Sequence, residues 1–348
     1  MLHCVGKIFK SGNVDMLLDT LVISSENEQN LKDSYSYIWQ RNHFEKYKLG
    51  FPISNAVKIK ENYLITDNEN KLWLYDETLT LIENFNPELS TNLDGGLIQN
   101  INSYYLLMSK GRIANKVYYV FDMEQKKDVF QSNLLIRGLS NLFIVKDKYE
   151  SETQNIKVYD LDANLLWSQD LIEFGNFKVF RHHDIGGNYL LLTNDNKSLF
   201  FNLITGELLW QSEDYLLKQA KSNYNGDKLI AFNQGYVEYD LRTGQRKIEQ
   251  DVRQRYDDFG RGGSPYFWDS KNIIITIPGR RNKIYFYDIE KDEMIYIHEE
   301  KDAKPYLTAK PIIFHEGHLF VKDFNDTLFV YKLEEGLANK LERNKTHI

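Results

Sequence analysis

The feature that most constrains this chain of 348 residues is a short pattern that recurs seven times. Each copy is an apolar run that ends in an aromatic residue, which is usually followed by Asp or Asn and then by a turn. The aromatic residues are Tyr75, Phe121, Tyr159, Phe201, Tyr239, Tyr287 and, in a degraded copy, Tyr331. They recur about every 43 residues, a period that indicates a fold built from one supersecondary unit per repeat.

Residues 187–211 illustrate one unit. Two apolar runs, 189–192 and 198–201, are separated by a polar turn, and a third run begins at Glu207 after a second turn. Short apolar runs bounded by turns are typical of strands buried on both faces. Four strands in a unit of this length make one blade of a β-propeller. We therefore predict an all-β fold, a propeller of four-stranded antiparallel blades with seven blades over residues 50–340.

The turn after each aromatic residue has its own chemistry. The Asp or Asn that follows the aromatic can accept hydrogen bonds from backbone N–H groups of the turn. Five residues after the aromatic, the chain repeatedly has a residue that tolerates a positive φ: Asn164, Gly206, Gly244, Asp292 and Gly336. We therefore predict that the repeated carboxylates shape turns and do not catalyse a reaction.

These repeats carry a family resemblance. Residues 159–167 (YDLDANLLW) and 201–210 (FNLITGELLW) resemble the repeat of PQQ-like, or quinoprotein-type, β-propellers, and residues 239–244 (YDLRTG) match its first half. The resemblance implies a fold that PQQ-like and WD40-like propellers share, in a family that includes enzymes, scaffolds and binding proteins. The chain lacks the adjacent cysteine pair of the quinoprotein dehydrogenases, so no cofactor is expected.

The first 49 residues allow more than one interpretation. The runs 20–24 and 36–40 resemble strands, so the segment could form an eighth, degenerate blade, or it could pack outside a seven-bladed ring and close it. An amphipathic helix over 31–44 is a third option. We favour the closing segment, and we expect residues 341–348 to form a C-terminal tail.

Composition excludes several classes of function. A net charge of −7 argues against a general nucleic-acid binder, which needs a basic surface. The single cysteine, Cys4, allows no internal disulfide and is expected in a frayed terminus. The N-terminus lacks the apolar core of a signal peptide, and no run approaches the length of a membrane span. We therefore expect a cytoplasmic protein that does not contact a membrane.

Metal and catalytic motifs are weak. His182 and His183 are adjacent, so on a strand they point to opposite faces and are poorly placed to share one ion. His315 and His318 lack the helical frame of a zinc motif. The Asp160-x-Asp162-x-Asn164 start of a calcium loop is not continued by the required Gly and Glu. We predict no metal site, no catalytic residues and no enzymatic activity.

The most informative segment for function is 251–269, which interrupts the repeat with arginines and aromatic residues. Its topology predicts that it shares one face of the propeller with the connections 279–283 and 110–116. The opposite face collects acidic turns. Arg, Tyr and Trp dominate binding hot spots, so we predict a partner-binding site on this face. The predicted site residues are Arg253, Arg255, Tyr256, Arg261, Tyr266, Trp268, Arg280, Arg281 and Arg112.

The sequence therefore favours a monomeric, non-catalytic propeller that binds a protein partner. The Lys-, Asn-, Ile- and Tyr-rich composition indicates an AT-rich bacterial genome, which suggests an immunity protein that neutralises a toxin by binding it. Two alternatives stay open. One is a binder, or an enzyme, for an anionic sugar or nucleotide at the mouth of the central channel, with Asp257, Asp258 and Asp269 as its nearest carboxylates. The other is a scaffold subunit with apolar blade edges.

Overall fold

The fold was obtained as a computed structural model. It describes residues 2–8, 15–17, 21–26, 35–40, 43–47, 51, 53–67, 71–85, 98–110, 116–147, 154–175, 177–179, 181–214, 216–217, 220–222, 228–232, 236–250, 264–267, 272–276, 282–301, 304, 313–315, 317–323 and 327–333. Nearly all regular elements within these ranges are β-strands, and a 3₁₀ turn covers Leu171–Phe174. No described helix is long and apolar enough to cross a membrane.

The described strands form eight four-stranded antiparallel sheets. The first strand of the chain is β1 (Leu2–Ile8). Sheet 1 contains β2 (Asp15–Leu17), β3 (Leu21–Glu26), β4 (Tyr35–Gln40) and β5 (His43–Tyr47). Sheet 2 contains β6 (Ile53–Ile59), β7 (Asn62–Asp67), β8 (Leu72–Tyr75) and β9 (Leu81–Phe85). Sheet 3 contains β10 (Ile98–Asn100), β11 (Tyr105–Lys110), β12 (Val117–Asp122) and β13 (Lys127–Ser132).

The remaining sheets follow the same order. Sheet 4 contains β14 (Leu135–Leu139), β15 (Leu142–Lys146), β16 (Asn155–Asp160) and β17 (Leu165–Asp170). Sheet 5 contains β18 (Arg181–Gly186), β19 (Tyr189–Thr193), β20 (Ser198–Asn202) and β21 (Leu208–Ser212). Sheet 6 contains β22 (Lys221–Ser222), β23 (Leu229–Phe232), β24 (Tyr236–Tyr239) and β25 (Arg246–Gln250). Sheet 7 contains β26 (Ser264–Phe267), β27 (Asn272–Thr276), β28 (Lys283–Asp288) and β29 (Glu293–Glu299). Sheet 8 contains β30 (Ile313–His315), β31 (His318–Lys322), β32 (Leu328–Leu333) and β1.

The first strand of each sheet lies nearest the axis of the ring. Strand β6 packs against both β2 and β10, and β18 packs against β22, so neighbouring sheets approach one another through their first strands. The second and third strands are buried, as β19 and β20 show, whereas fourth strands such as β25 are largely exposed. The all-β fold of four-stranded antiparallel sheets predicted from the repeat is confirmed.

The described strands form eight sheets, which is one more than the favoured count of seven blades and equals the count of the alternative interpretation. The sevenfold sequence repeat does not include sheet 1, because the third strand of this sheet ends at Trp39-Gln40 and lacks the aromatic-Asp pair of the other repeats. Strand β1 closes the ring, since it pairs with β32 from Leu2 opposite Leu333 to Ile8 opposite Leu328. Cys4 therefore lies within a paired strand and not in a frayed terminus, and its side chain is exposed.

The turns between third and fourth strands have the predicted Asp and Asn contacts. Asp160 Oδ1 accepts hydrogen bonds from the amides of Asp162 and Asn164 at 3.0 and 2.8 Å. A positive φ follows at Gly206, Gly244 and Asp292, but in the turn after Asp160 it falls on Ala163 and not on Asn164. The repeated carboxylates of these described turns are therefore structural. The equivalent oxygens that accept from turn amides in the same way belong to Asp76, Asp122, Asn202, Asp240 and Asp288.

Asp240→Ala is expected to lower the urea midpoint of unfolding, whereas Asp240→Asn should keep it close to that of the wild type. Asp240 Oδ1 accepts from the amides of Arg242 and Thr243 at 2.8 and 3.0 Å, and an amide oxygen can take both bonds. Arg242→Ala, at an exposed position of the same turn, is the control. If Asn were no better than Ala, the carboxylate charge and not the acceptor geometry would support the turn.

Two tryptophans join neighbouring sheets. Trp167 on β17 donates its indole N–H to the carbonyl of Leu203 in sheet 5, and Trp210 on β21 donates to the carbonyl of Leu241 in sheet 6, both at 2.8 Å. Each ring covers the glycine of the next sheet's turn. A Cβ on Gly206 would lie 2.6 Å from Trp167, and a Cβ on Gly244 would lie 2.5 Å from Trp210. The Thr-Gly and Leu-Trp parts of the repeat are thus the two halves of one contact between sheets.

Candidate functional site

The order of strands defines two faces of the ring. Each sheet is antiparallel, and the strands of sheets 1 to 7 follow in chain order. The first and third strands of these sheets therefore begin at one edge, which we call the loop face. The opposite edge, which carries the turns between third and fourth strands, is called the turn face. The connections that hold Arg112, Arg253, Arg255, Tyr256, Arg261, Arg280 and Arg281 all join strands at the loop face. These seven residues themselves lie outside the described residues.

Two predicted site residues do not belong to the loop-face connections. Tyr266 lies within β26, where it is the register partner of Ile274. Trp268 is itself outside the described residues, but it belongs to the connection from β26 to β27, and β26 ends at the turn face. The prediction from the sequence took 251–269 as one loop and did not include the strand β26. Arg112 is separated from the others in the topology, because its connection joins two strands of sheet 3, whereas the connections with the remaining arginines join strands of sheets 6 and 7.

Several charged side chains on the turn face form ion pairs or hydrogen bonds with their neighbours. Lys60 pairs with Glu124, and Lys126 pairs with Glu83 at 2.9 Å. The hydroxyl of Thr78, together with backbone N–H groups, lowers the pKa of Asp76. These contacts stabilise turns and link sheets 2 and 3, so the predicted acidic face is partly neutralised by nearby lysines.

Metal ligands do not cluster in the part of the chain that the structure describes. Among those residues there is no group of three or more His, Cys, Asp or Glu that could hold a metal ion. His315 and His318 are register partners across β30 and β31. The candidate carboxylates Asp257, Asp258 and Asp269 lie outside the described residues.

A basic cluster lies between sheets 4 and 5. It consists of Arg137 on β14, Lys146 at the end of β15 and His182 near the start of β18, and this end of the strands is the loop face. Arg137 is the register partner of Ile144, which belongs to the hydrophobic core shared by sheets 4 and 5. Directly opposed residues, and residues two apart on one strand, share a face of a sheet. Arg137 and Lys146 therefore both face sheet 5.

His182 faces these two cations from sheet 5. It is the register partner of Leu192, another member of the same core. Burial, followed by the charges of Lys146, Arg137 and His183, lowers the pKa of His182 to about 4. The imidazole is therefore neutral near pH 7, and the charges that act on it are all cationic.

Within the described part of the chain, Arg137 and Lys146 have little compensation for their charge. Lys146 is only 8% exposed, and its Nζ donates to the carbonyl of Val179 at 3.2 Å. Burial and the charge of Arg137 lower the pKa of Lys146. Arg137 Nε is buried and has no hydrogen-bond partner within the described part of the chain. A cation buried without an opposite charge is costly, so this arrangement is unusual for a purely structural core.

One carboxylate of β18 shares a face with His182. It belongs to Asp184, two residues further toward the turn face, and it is engaged by other donors. The hydroxyl of Ser140 and the amide of Gly186 each donate to Asp184 at 2.9 Å. Both described donors to Asp184 therefore lie outside the basic cluster.

Sequence inspection missed the basic cluster. Its members are 9 and 36 residues apart along the chain and form no motif, and they come together only because β14 pairs with β15 and sheet 4 packs against sheet 5. A signal was nevertheless present. Arg137 interrupts the apolar run LLIRGL at 134–139. Lys146 directly follows the apolar run LFIV at 142–145 and still lies within the buried strand.

Comparisons with known proteins bear on the fold. No family model matches the chain. Among curated proteins, the chain is 23% identical over 245 residues to Transcription factor AP2-Z of Plasmodium berghei (strain Anka), a match that covers 65% of this chain. The chain spans only 22% of the length of that relative.

Solved structures resemble the chain over nearly its whole length. BamB from Moraxella catarrhalis has a TM-score of 0.59 at 12% identity and covers 96% of this chain and 98% of its own. Saccharomyces cerevisiae Sqt1 has a TM-score of 0.60 at 10% identity and covers 95% and 99%. The C-terminal WD40 domain of Sif2 has a TM-score of 0.60 at 9% identity and covers 96% and 99%. At these identities the likeness concerns the fold alone, and it confirms the resemblance to PQQ-like and WD40-like β-propellers.

Proposed function

We propose that this chain is a non-catalytic β-propeller that binds a protein partner on its loop face. The observation that supports the proposal is the strand order, because β25 ends and β26 begins at the loop face. The sequence between these two strands contains Arg253, Arg255, Tyr256 and Arg261. The connection from β27 to β28, with Arg280 and Arg281, belongs to the same edge of the adjacent sheet. The proposed site is therefore centred on sheets 6 and 7.

The chemistry of this surface favours an acidic partner. Arginine side chains form bidentate hydrogen bonds with carboxylates, and arginine and tyrosine are enriched among residues that dominate binding energy. Charge complementarity of this kind speeds association and weakens with added salt. The partner is therefore a protein with an exposed cluster of Asp and Glu.

A finer proposal concerns the identity of the partner. The AT-rich composition suggests a bacterial origin, and a cytoplasmic binding propeller of this kind suits an immunity protein that neutralises a toxin by covering its active site. Composition alone supports this step. Capture of the partner tests it, because a toxin would be recovered as a stoichiometric complex and would regain activity once released.

The decisive experiment compares equal charge reversals on the two faces. The loop-face variant is Arg255→Glu/Arg281→Glu, and the turn-face control, which changes the net charge by the same amount, is Lys127→Glu/Arg242→Glu. Lys127 and Arg242 are exposed residues next to turn-face turns. The tagged wild type and each variant are used to capture partners from a lysate of the native host at moderate salt, and the affinity for the recovered partner is then measured.

We expect the wild type and the turn-face control to retain one stoichiometric protein, and the loop-face variant to bind it at least about tenfold more weakly, since a single anchoring arginine is worth on the order of 2 kcal/mol. Loss of binding in the turn-face control with retention in the loop-face variant would move the site to the other face. Capture of no protein by the wild type would overturn the proposal.

A further inference from the structure

The basic cluster of Arg137, Lys146 and His182 has the composition of an anion site. Arg137 and Lys146 of sheet 4 and His182 of sheet 5 lie on the facing surfaces of these two sheets, toward the loop face. Lys146 is buried with a backbone carbonyl as its described acceptor, and Arg137 holds a buried Nε donor without a described partner. We propose that this cluster binds a small dianionic oxyanion of the phosphate type, either inorganic phosphate or the phosphoryl group of a small molecule.

The charges match such a ligand. Arg137 and Lys146 together supply two positive charges, and a tetrahedral oxyanion offers several acceptors to a guanidinium fork and an ammonium group. Strands position these donors more rigidly than loops do, so the site is preorganised. Binding in a partly buried site also strengthens each charge-assisted hydrogen bond relative to water.

His182 gives the site a pH dependence. The groups that face its imidazole are Lys146 of β15 and Arg137 of β14, and His183 adjoins it on β18. An anion placed among them opposes these positive charges, so protonation of His182 becomes easier when the site is filled. By linkage, protonation of His182 must strengthen anion binding by the same factor.

The ligand site is independent of the proposed partner. The basic cluster lies in sheets 4 and 5, whereas the proposed partner-binding connections flank strands of sheets 6 and 7. Loss of protein binding in the Arg255 and Arg281 variants would therefore leave anion binding intact, and the reverse also holds. The two proposals can fail separately.

NMR titration of the His182 imidazole tests the inference directly. The His182→Gln variant assigns the resonance, and the pH titration is run without oxyanions and then with millimolar sulfate, whose charge stays at −2 throughout this range. We expect sulfate to raise the pKa of His182 by at least about one unit, which corresponds to about tenfold tighter binding to the imidazolium form. Inorganic phosphate and glycerol 3-phosphate are then compared at fixed pH to distinguish a free anion from a phosphoryl group.

Matched variants show whether the response comes from this cluster. Lys146→Met and Arg137→Gln should each abolish the sulfate-induced shift, whereas Lys58→Met, on the first strand of sheet 2, should keep it. Amide spectra establish that each variant is folded, and having two cluster variants keeps the test valid if one does not fold. A His182 pKa that sulfate leaves unchanged together with a His182 resonance that neither phosphate compound moves, or a sulfate-induced shift that persists in both cluster variants, would overturn the inference.

Discussion

Replacing Gly244 by alanine is expected to lower the free energy of unfolding by about 3 kcal/mol, because two unfavourable terms add. Gly244 has a φ of +67°, a left-handed conformation that costs an L-residue about 1 kcal/mol or more. Its new Cβ would also lie 2.5 Å from Cε3 of Trp210. The indole of Trp210 has little freedom to move. Its N–H donates a hydrogen bond to the carbonyl of Leu241, and its ring stacks on that of Phe200 with a centroid distance of 4.5 Å.

Gly175→Ala separates the two terms. Gly175 has a similar φ of +80°, but no described atom beyond its chain neighbours lies within 4 Å of the position that an alanine methyl group would take. Only the backbone term of about 1 kcal/mol therefore applies. Urea unfolding of both variants gives the difference. In a Trp210→Leu background, the added cost of Gly244→Ala should fall to that of Gly175→Ala. Equal costs for the two glycines in the wild-type background would mean that the tryptophan contact does not restrain this turn.

Lowering the pH from 6.5 to 4 in buffer free of sulfate and phosphate is expected to remove about 3 kcal/mol of stability through His182 alone. The pKa of His182 is lowered to about 4 in the fold from an ordinary value of 6.5. Between these values the unfolded chain binds a proton that the folded protein excludes. Stability is therefore fully present above pH 6.5 and is lost as the pH falls toward 4.

Unfolding in urea at several pH values between 7 and 4 measures this loss. His182→Gln should flatten the profile, while leaving a smaller slope from His298, whose pKa is also lowered by burial. Asp76 and Asp240, whose pKa values are lowered from 3.8 by turn hydrogen bonds, contribute mainly near and below the lower end of this window. A wild-type profile retained in His182→Gln would assign the pH dependence to another group.

The repeat predicted most of the fold because it records local chemistry. The aromatic residue ends a buried strand, and the Asp or Asn after it binds turn amides, as Asp160 and Asp240 do. Both events involve residues only a few positions apart, so the sequence carries them directly. The repeat did not identify sheet 1, because the third strand of that sheet ends in Trp39-Gln40 and not in an aromatic residue followed by Asp or Asn. Sheet 1 nevertheless has the same four-stranded arrangement as the others.

The candidate sites were less predictable because they depend on distant pairings. The strand β26 divides the segment 251–269, which separates Trp268 from Arg255 in the topology. Arg137, Lys146 and His182 meet only after two sheets pack together, and no spacing in the sequence expresses that packing. Conversely, the Thr-Gly and Leu-Trp pairs were visible in the repeat, but their contact runs between sheets and needed the fold to be recognised.

The antiparallel pairing of β1 with β32 also determines how the molecule responds to mechanical load. Leu2 and Leu333 are register partners, so the chain enters and leaves this pair of strands at the same end. A force that pulls the flanking segments apart acts on one pair of residues at a time. The hydrogen bonds between β1 and β32 then break one after another, beginning at Leu2 and Leu333. Shear resistance, which requires many hydrogen bonds to break together, is absent from this geometry. We therefore expect β1 to separate from β32 before β32 separates from β31.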